Sequence, residues 1–211
     1  MGELKIIPFF SQGLATFTVG SLKKKEEAVA HLALFDLMAS LIPKPAANTY
    51  GMKCCPATPD EARQAVETLK RRMPGVKIIL TTRDDLVAQF GSLTLAKQTN
   101  VWHSTDAGFV RGKRTSLMLS VSDFSDYALA CREVTRILGE LQTSHDTIEA
   151  PYEELIAHPS VIYRKLFDFV GLAQTEVTWQ TMEKVNPPAH EYIENYVELT
   201  RCLELLKTRN R

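Results

Sequence analysis

The chain carries no net charge: 25 Lys and Arg residues balance 25 Asp and Glu residues. That excludes the broad basic field on which nucleic-acid binding rests, and leaves room only for a local basic pocket. No apolar run approaches the roughly 18 residues that cross a bilayer, and none of signal length follows Met1-Gly2-Glu3, so no integral membrane segment is expected. Cysteine is scarce. Cys54, Cys55, Cys131 and Cys202 contain no C-x-x-C pair, which fits neither a zinc set nor a disulfide framework. A reduced, cytoplasmic setting is the natural expectation, with buried structural cysteines rather than a thiol nucleophile. There is no internal repeat, no low-complexity segment and no Walker sequence GxxxxGK[ST].

What remains is an ordinary globular composition, 45% hydrophobic and 24% charged over 211 residues. The simplest expectation is one domain over 1–211 with a sizeable core, in which 1–48 is a divergent N-terminal segment. Helical periodicity runs from Lys24 to Ile42 and stops at Pro43 and Pro45. Thr49 to Lys53 reads as a short strand. Thr58-Pro59-Asp60-Glu61 carries an N-cap, a proline at the first helical position and a capping-box glutamate. That helix is expected to reach about Met73, before Pro74-Gly75. His103 to Thr115 reads as a long polar loop, and Ser122 or Asp123 as the cap of a helix reaching about Leu141. Thr147 to Ala150 is a strand, Pro159 opens a helix that Gly171 ends, and a last helix spans about Glu191 to Lys207. Strands alternating with helices predict an α/β fold with a parallel sheet flanked by helices.

The most informative stretch is Val76 to Trp102. The apolar run Val76-Lys77-Ile78-Ile79-Leu80 predicts a buried parallel strand, ending in Thr81-Thr82-Arg83-Asp84-Asp85. An amphipathic helix follows, with Leu86, Phe90, Leu93 and Ala96 on one side. Strand, polar turn and helix in that order put Arg83 at the carboxyl edge of a sheet, where ligands bind in open α/β folds. Arg83 offers a planar, permanently charged fork suited to phosphate, and Ser92 offers a hydroxyl further along the helix.

These residues resemble the 3′-phosphate-binding element of sulfotransferases that use 3′-phosphoadenosine 5′-phosphosulfate (PAPS), in which an Arg at a strand end is followed by a helical Ser. The run Ser92-x-x-x-Ala96-x-Gln98-Thr99-x-x-Trp102-His103 is similar to the bacterial, trehalose-sulfotransferase-like branch. Further similar pieces are Tyr50-Gly51-Met52-Lys53, Tyr152-Glu153-Glu154-Leu155 with His158-Pro159, the helix end Leu166 to Leu172, and Lys184-Val185-Asn186-Pro187 with Asn195-Tyr196. The resemblance covers about residues 49 to 200. It implies a P-loop-type sulfotransferase fold, N-terminally truncated or degenerate. It also implies transfer of a sulfuryl group from PAPS to a hydroxyl of a small molecule, carbohydrate or lipid, without a metal.

The resemblance implies roles for particular residues. Arg83 and Ser92 hold the 3′-phosphate, and Lys184 and Asn186 lie near the nucleotide. His103 or Glu153 is the base that takes the acceptor's proton; Glu153 is better suited to orienting the turn after its strand or to pairing with Arg83. The family spacing of eight from Arg83 lands on Gly91, one residue short of Ser92. Arg111, Lys113 and Arg114 are basic residues of the polar loop, and Lys53 ends a strand. The family's phosphosulfate loop of the type Pro-x-Ser-Gly-Thr-Thr is missing; Gly20-Ser21-Leu22-Lys23-Lys24 and Ser11-Gln12-Gly13 are the nearest segments. Without that loop an inactive, sulfotransferase-like binding protein or a truncated gene product is the alternative. A homodimer, paired through helix ends and apolar edges, is compatible with either.

Overall fold

The computed structural model describes residues 9–11, 14–18, 49–101, 116–172 and 187–208. They fall into two compact units, Met1–Cys55 and Pro56–Arg211. In the first, β1 (Phe9–Ser11) and β2 (Leu14–Thr18) pair antiparallel, and β2 pairs parallel with β3 (Thr49–Lys53). Leu14 stands opposite Thr49 and Thr18 opposite Lys53. The strand expected at Thr49–Lys53 is present with those bounds. The helix expected from Lys24 to Ile42 and both candidate phosphate-loop segments fall wholly or partly outside the described residues.

The second unit is α/β, mostly helical around a small parallel sheet of β4 (Ile78–Thr82) and β5 (Thr147–Pro151). Its helices are α1 (Pro59–Arg72), α2 (Leu86–Thr99), α3 (Val121–Gly139), α4 (Tyr152–Ala157), α5 (Pro159–Val170), α6 (Ala189–Tyr192) and α7 (Tyr196–Thr208). The α1 start is as its sequence predicts: Glu61 N donates to Thr58 Oγ1 at 3.2 Å, and Glu61 Oε2 accepts from Ala57 N at 2.6 Å. The cap of α3 is Ser120, two residues before Ser122 and three before Asp123, and its hydroxyl accepts from Asp123 N at 3.2 Å. Gly171 ends α5 with φ of 76°, the left-handed region that glycine enters without a Cβ penalty.

Two expectations change in detail. The strand starts at Ile78, two residues late, because Val76 N is turned back onto Met73 O while Ile78 N pairs with Asp146 O at 2.9 Å. It therefore ends at Thr82, and Arg83 is the first residue beyond it. Nor is β4 buried on both faces: Ile79 is 41% exposed. In α2 the buried side is Leu86, Val87, Ala88 and Gly91 rather than a Leu86–Phe90–Leu93–Ala96 stripe. Three consecutive residues of the first turn of α2 are buried, so helical period alone does not find its inner face.

The main core joins Leu86, Val87 and Ala88 of α2 to Phe124 and Ala128 of α3 and Leu199 and Leu203 of α7. Phe124 and Leu199 are wholly buried, each contributing about 1.5–3 kcal/mol of transfer free energy. A second cluster, Ala62, Val66, Ile137 and Leu141, packs α1 against α3 and the 3-10 turn Glu140–Thr143. The last helix is broken in two. Ile193 leaves the helical path to form a parallel bridge with Leu117, with Leu117 N donating to Tyr192 O and Glu194 N to Leu117 O. The Asn195 amide then brackets Leu119, accepting from its N–H at 3.1 Å and donating to its carbonyl at 2.8 Å. No helix among the described residues is long and apolar enough to cross a membrane.

Candidate functional site

The register of the parallel pair builds the site. Thr82 stands opposite Pro151, so the next residues, Arg83 and Tyr152, leave the sheet side by side at its carboxyl edge. The Arg83 guanidinium carbon lies 4.5 Å from the Tyr152 ring centroid, a cation–π contact that fixes the plane of the fork. Glu153 reaches across from β5 to the turn after β4. Its Oε1 accepts from Asp84 N at 3.1 Å and Asp85 N at 3.2 Å. Partial desolvation pushes this carboxyl up. The N–H groups of Asp85, Glu153 and Asp84, with the Arg83 charge, outweigh that and hold it below the ordinary carboxylate range. Glu153 thus occupies the turn-orienting position, and it interacts electrostatically with Arg83.

Among the described residues, neither Arg83 Nε nor Glu153 Oε2 meets a hydrogen-bond partner, although both atoms are buried. Buried polar atoms left unpaired cost about 1–3 kcal/mol each, so two at one sheet edge make this edge the candidate site.

Beside these residues lies a cleft of about 360 Å³. Arg83, Asp85 and Ala88 form one wall, Tyr152, Glu153 and Ile156 another, and Pro188, His190 and Tyr196 a third. The Asp85 side chain is already engaged as the N-cap of α2, accepting from Ala88 N at 2.9 Å. His190 and Tyr196 meet edge to face, with centroids 6.2 Å apart. Among the described residues the walls carry one permanent cation, Arg83, against two carboxylates.

No family model, no curated protein and no solved structure matches this chain.

Behind Arg83 sit two tyrosines. Burial pushes the Tyr192 hydroxyl up, while a hydrogen bond with Ser92 and the Arg83 charge pull it partly back. Burial also pushes Tyr127 well above its ordinary value, helped by Cys131 and opposed by Arg83. Both stay neutral near neutral pH. Ser92 therefore meets Tyr192 and does not line the cleft. Gly91 faces the same place: a Cβ there would come within 2.5 Å of Ile193 Cδ1 and 3.0 Å of the Tyr192 hydroxyl. This close approach accounts for a glycine at this position.

The structure thus brings Arg83 and Glu153 together and places Ser92 one layer behind. His103, Lys184 and Asn186, with Arg111, Lys113 and Arg114, lie outside the described residues, as does the Lys53 side chain. His190 was legible by no sequence signal, since neither period nor motif marks it. Tyr196 belongs to the Asn195-Tyr196 pair that the resemblance picks out.

A second hollow lies at the opposite end of the sheet, beside Gly75 and His145. His145 is 8% exposed. Its Nε2 lies 3.2 Å from the Met73 carbonyl and its Nδ1 2.9 Å from Ser144 Oγ. A ring donating from Nε2 and accepting at Nδ1 satisfies both contacts, so this histidine ties the end of α1 to the approach to β5. Among the described residues no group of three His, Cys, Asp or Glu side chains is placed to hold a metal ion.

Proposed function

We propose that this chain is a sulfotransferase-like protein whose Arg83 holds the 3′-phosphate of PAPS and of its product, adenosine 3′,5′-bisphosphate (PAP). The observation that carries the reading is the position of Arg83, first beyond β4, stacked on Tyr152 and lining a cleft at the carboxyl edge of a parallel pair. A planar guanidinium held there is preorganised for two parallel hydrogen bonds to one phosphate. The order of the pieces in sequence, from Tyr50 through Arg83 and Tyr152-Glu153-Glu154-Leu155 to Asn195-Tyr196, supports the same reading.

In this reading an acceptor hydroxyl oxygen forms a bond to the sulfur of PAPS as the bond from sulfur to the 5′-phosphate oxygen breaks. The acceptor's proton passes to a base and PAP leaves. Such transfer depends on positioning and charge neutralisation more than on covalent chemistry by the protein. Glu153 serves by orienting the Arg83 turn. His103 keeps the role of base, Lys184 and Asn186 lie toward the nucleotide, and the acceptor is a small molecule, carbohydrate or lipid hydroxyl.

One observation favours a second reading, a binding protein without turnover: the sequence has no loop of the phosphosulfate type. Removal of a single preorganised donor typically costs about 10²–10³ in rate, so a nucleotide half-site without that loop binds PAP but turns over little. Calorimetric titration with PAP, on the wild type and on Arg83→Ala, tests what both readings share. Micromolar binding that Arg83→Ala abolishes is expected. A folded wild-type chain that takes up no PAP refutes both. Sulfuryl transfer from PAPS to a panel of hydroxyl acceptors then separates the enzyme from the binder.

A further inference from the structure

Glu153 has two oxygens with different surroundings, and the difference bears on which ligand the cleft accepts. Oε1 is committed to the N–H groups of Asp84 and Asp85. Oε2 is buried with no hydrogen-bond partner among the described residues, and Arg83 Nε is in the same condition. Both side chains line the cleft. An anion docking on Arg83 therefore meets a fixed carboxylate beside the cation that attracts it. Asp85 adds a second carboxylate to the same walls.

We propose that Glu153 is a specificity-determining residue that uses its charge to weaken the hold of Arg83 on doubly charged phosphates, while its Oε1, as an acceptor, keeps the turn in place. The inference rests on the nucleotide reading given above. Its physical content is a separation of roles. The hydrogen bonds to Asp84 and Asp85 need only an acceptor oxygen, which a glutamine also supplies. The opposing field needs the negative charge. Arg83 stays in position when that charge goes, because Tyr152 stacks on it independently. The device lets a site release a highly charged product: an attraction left uncompensated would slow its departure.

The test is titration of the full-length chain with PAP and with adenosine 5′-phosphate, which lacks the 3′-phosphate. Wild type, Glu153→Gln and Asp85→Asn are compared, with thermal melts to establish folding. Glu153→Gln is expected to bind PAP on the order of tenfold more tightly, equivalent to ~1.4 kcal/mol, with little change for adenosine 5′-phosphate. Asp85→Asn, which keeps an acceptor for Ala88 N, is expected to move in the same direction. A role in turn geometry alone predicts equal or weaker binding in both variants, and that result overturns the proposal even where wild-type PAP binding is intact. An equal gain for both nucleotides also overturns it, because the effect would not then sit at the 3′-phosphate. No PAP binding by any of the three folded proteins would instead refute the nucleotide reading itself.

Discussion

Arg83 and Gly91 show how single residues set up this site. Arg83 gains its orientation from Tyr152, its neighbour across the sheet, rather than from its own helix or strand. Gly91 is required for space. Alanine at this helical position would gain up to about 1 kcal/mol in propensity. Its Cβ would however press on Ile193 Cδ1 at 2.5 Å and on the Tyr192 hydroxyl at 3.0 Å, and overpacking costs about 1–3 kcal/mol. Gly91→Ala is therefore expected to destabilise the chain by about 1 kcal/mol, read as a lower urea midpoint. It should also disturb the Tyr192–Ser92 hydrogen bond. A variant as stable as wild type or more so would show that Ile193 gives way freely.

At the scale of elements, the two strand-to-helix junctions are coupled by one carboxylate. Glu153 is the second residue of α4, which follows β5 directly, yet its hydrogen bonds go to the turn after β4. Its proton affinity is lowered on folding. A carboxyl of this kind contributes stability that is fully present above the ordinary value of 4.5. That contribution is lost as pH falls through the lowered value. Glu153→Gln has no such charge to neutralise, so between roughly pH 5 and pH 3 it should lose less stability than wild type. Denaturation midpoints across that range check this, and parallel pH profiles for the two proteins would mean that the turns do not depend on the charge. The break between α6 and α7 is the other element-scale device. The Leu117–Ile193 bridge and the Asn195 clamp on Leu119 set the start of α7, and Tyr196 at that start lines the cleft.

For the whole molecule, both described hydrophobic clusters lie within Pro56–Arg211. A unit with its own core, its own parallel pair and capped helices has what independent folding requires. The fragment 56–211 is expected to unfold in one cooperative transition by circular dichroism, and a fragment with a broad, non-cooperative melt would show that the first 55 residues are needed to complete it. The balanced charge of the chain belongs to this scale too. With no net charge the overall field steers neither anions nor cations, so any selection of a charged ligand falls to local groups.

Local chemistry makes much of this legible in the sequence. The Thr58-Pro59-Asp60-Glu61 start of α1, the Gly171 stop of α5, the strand at Thr49–Lys53, the strand read as Thr147 to Ala150 (one residue short of its observed end at Pro151), and Arg83 at a strand end all follow from nearest neighbours in sequence. Caps, prolines and short apolar runs act within a turn or two, so the sequence carries them directly. Tertiary structure alone decided the rest. The bridge at Ile193 splits a helix that periodicity draws as continuous, because its partner Leu117 is 76 residues away in sequence. Strand register set Arg83 against Tyr152, and packing sent Ser92 to Tyr192 and closed Gly91 against Ile193. Glu153 found its two N–H donors 68 and 69 residues back along the chain. Contacts over such separations are fixed by how elements dock, and no local propensity encodes them.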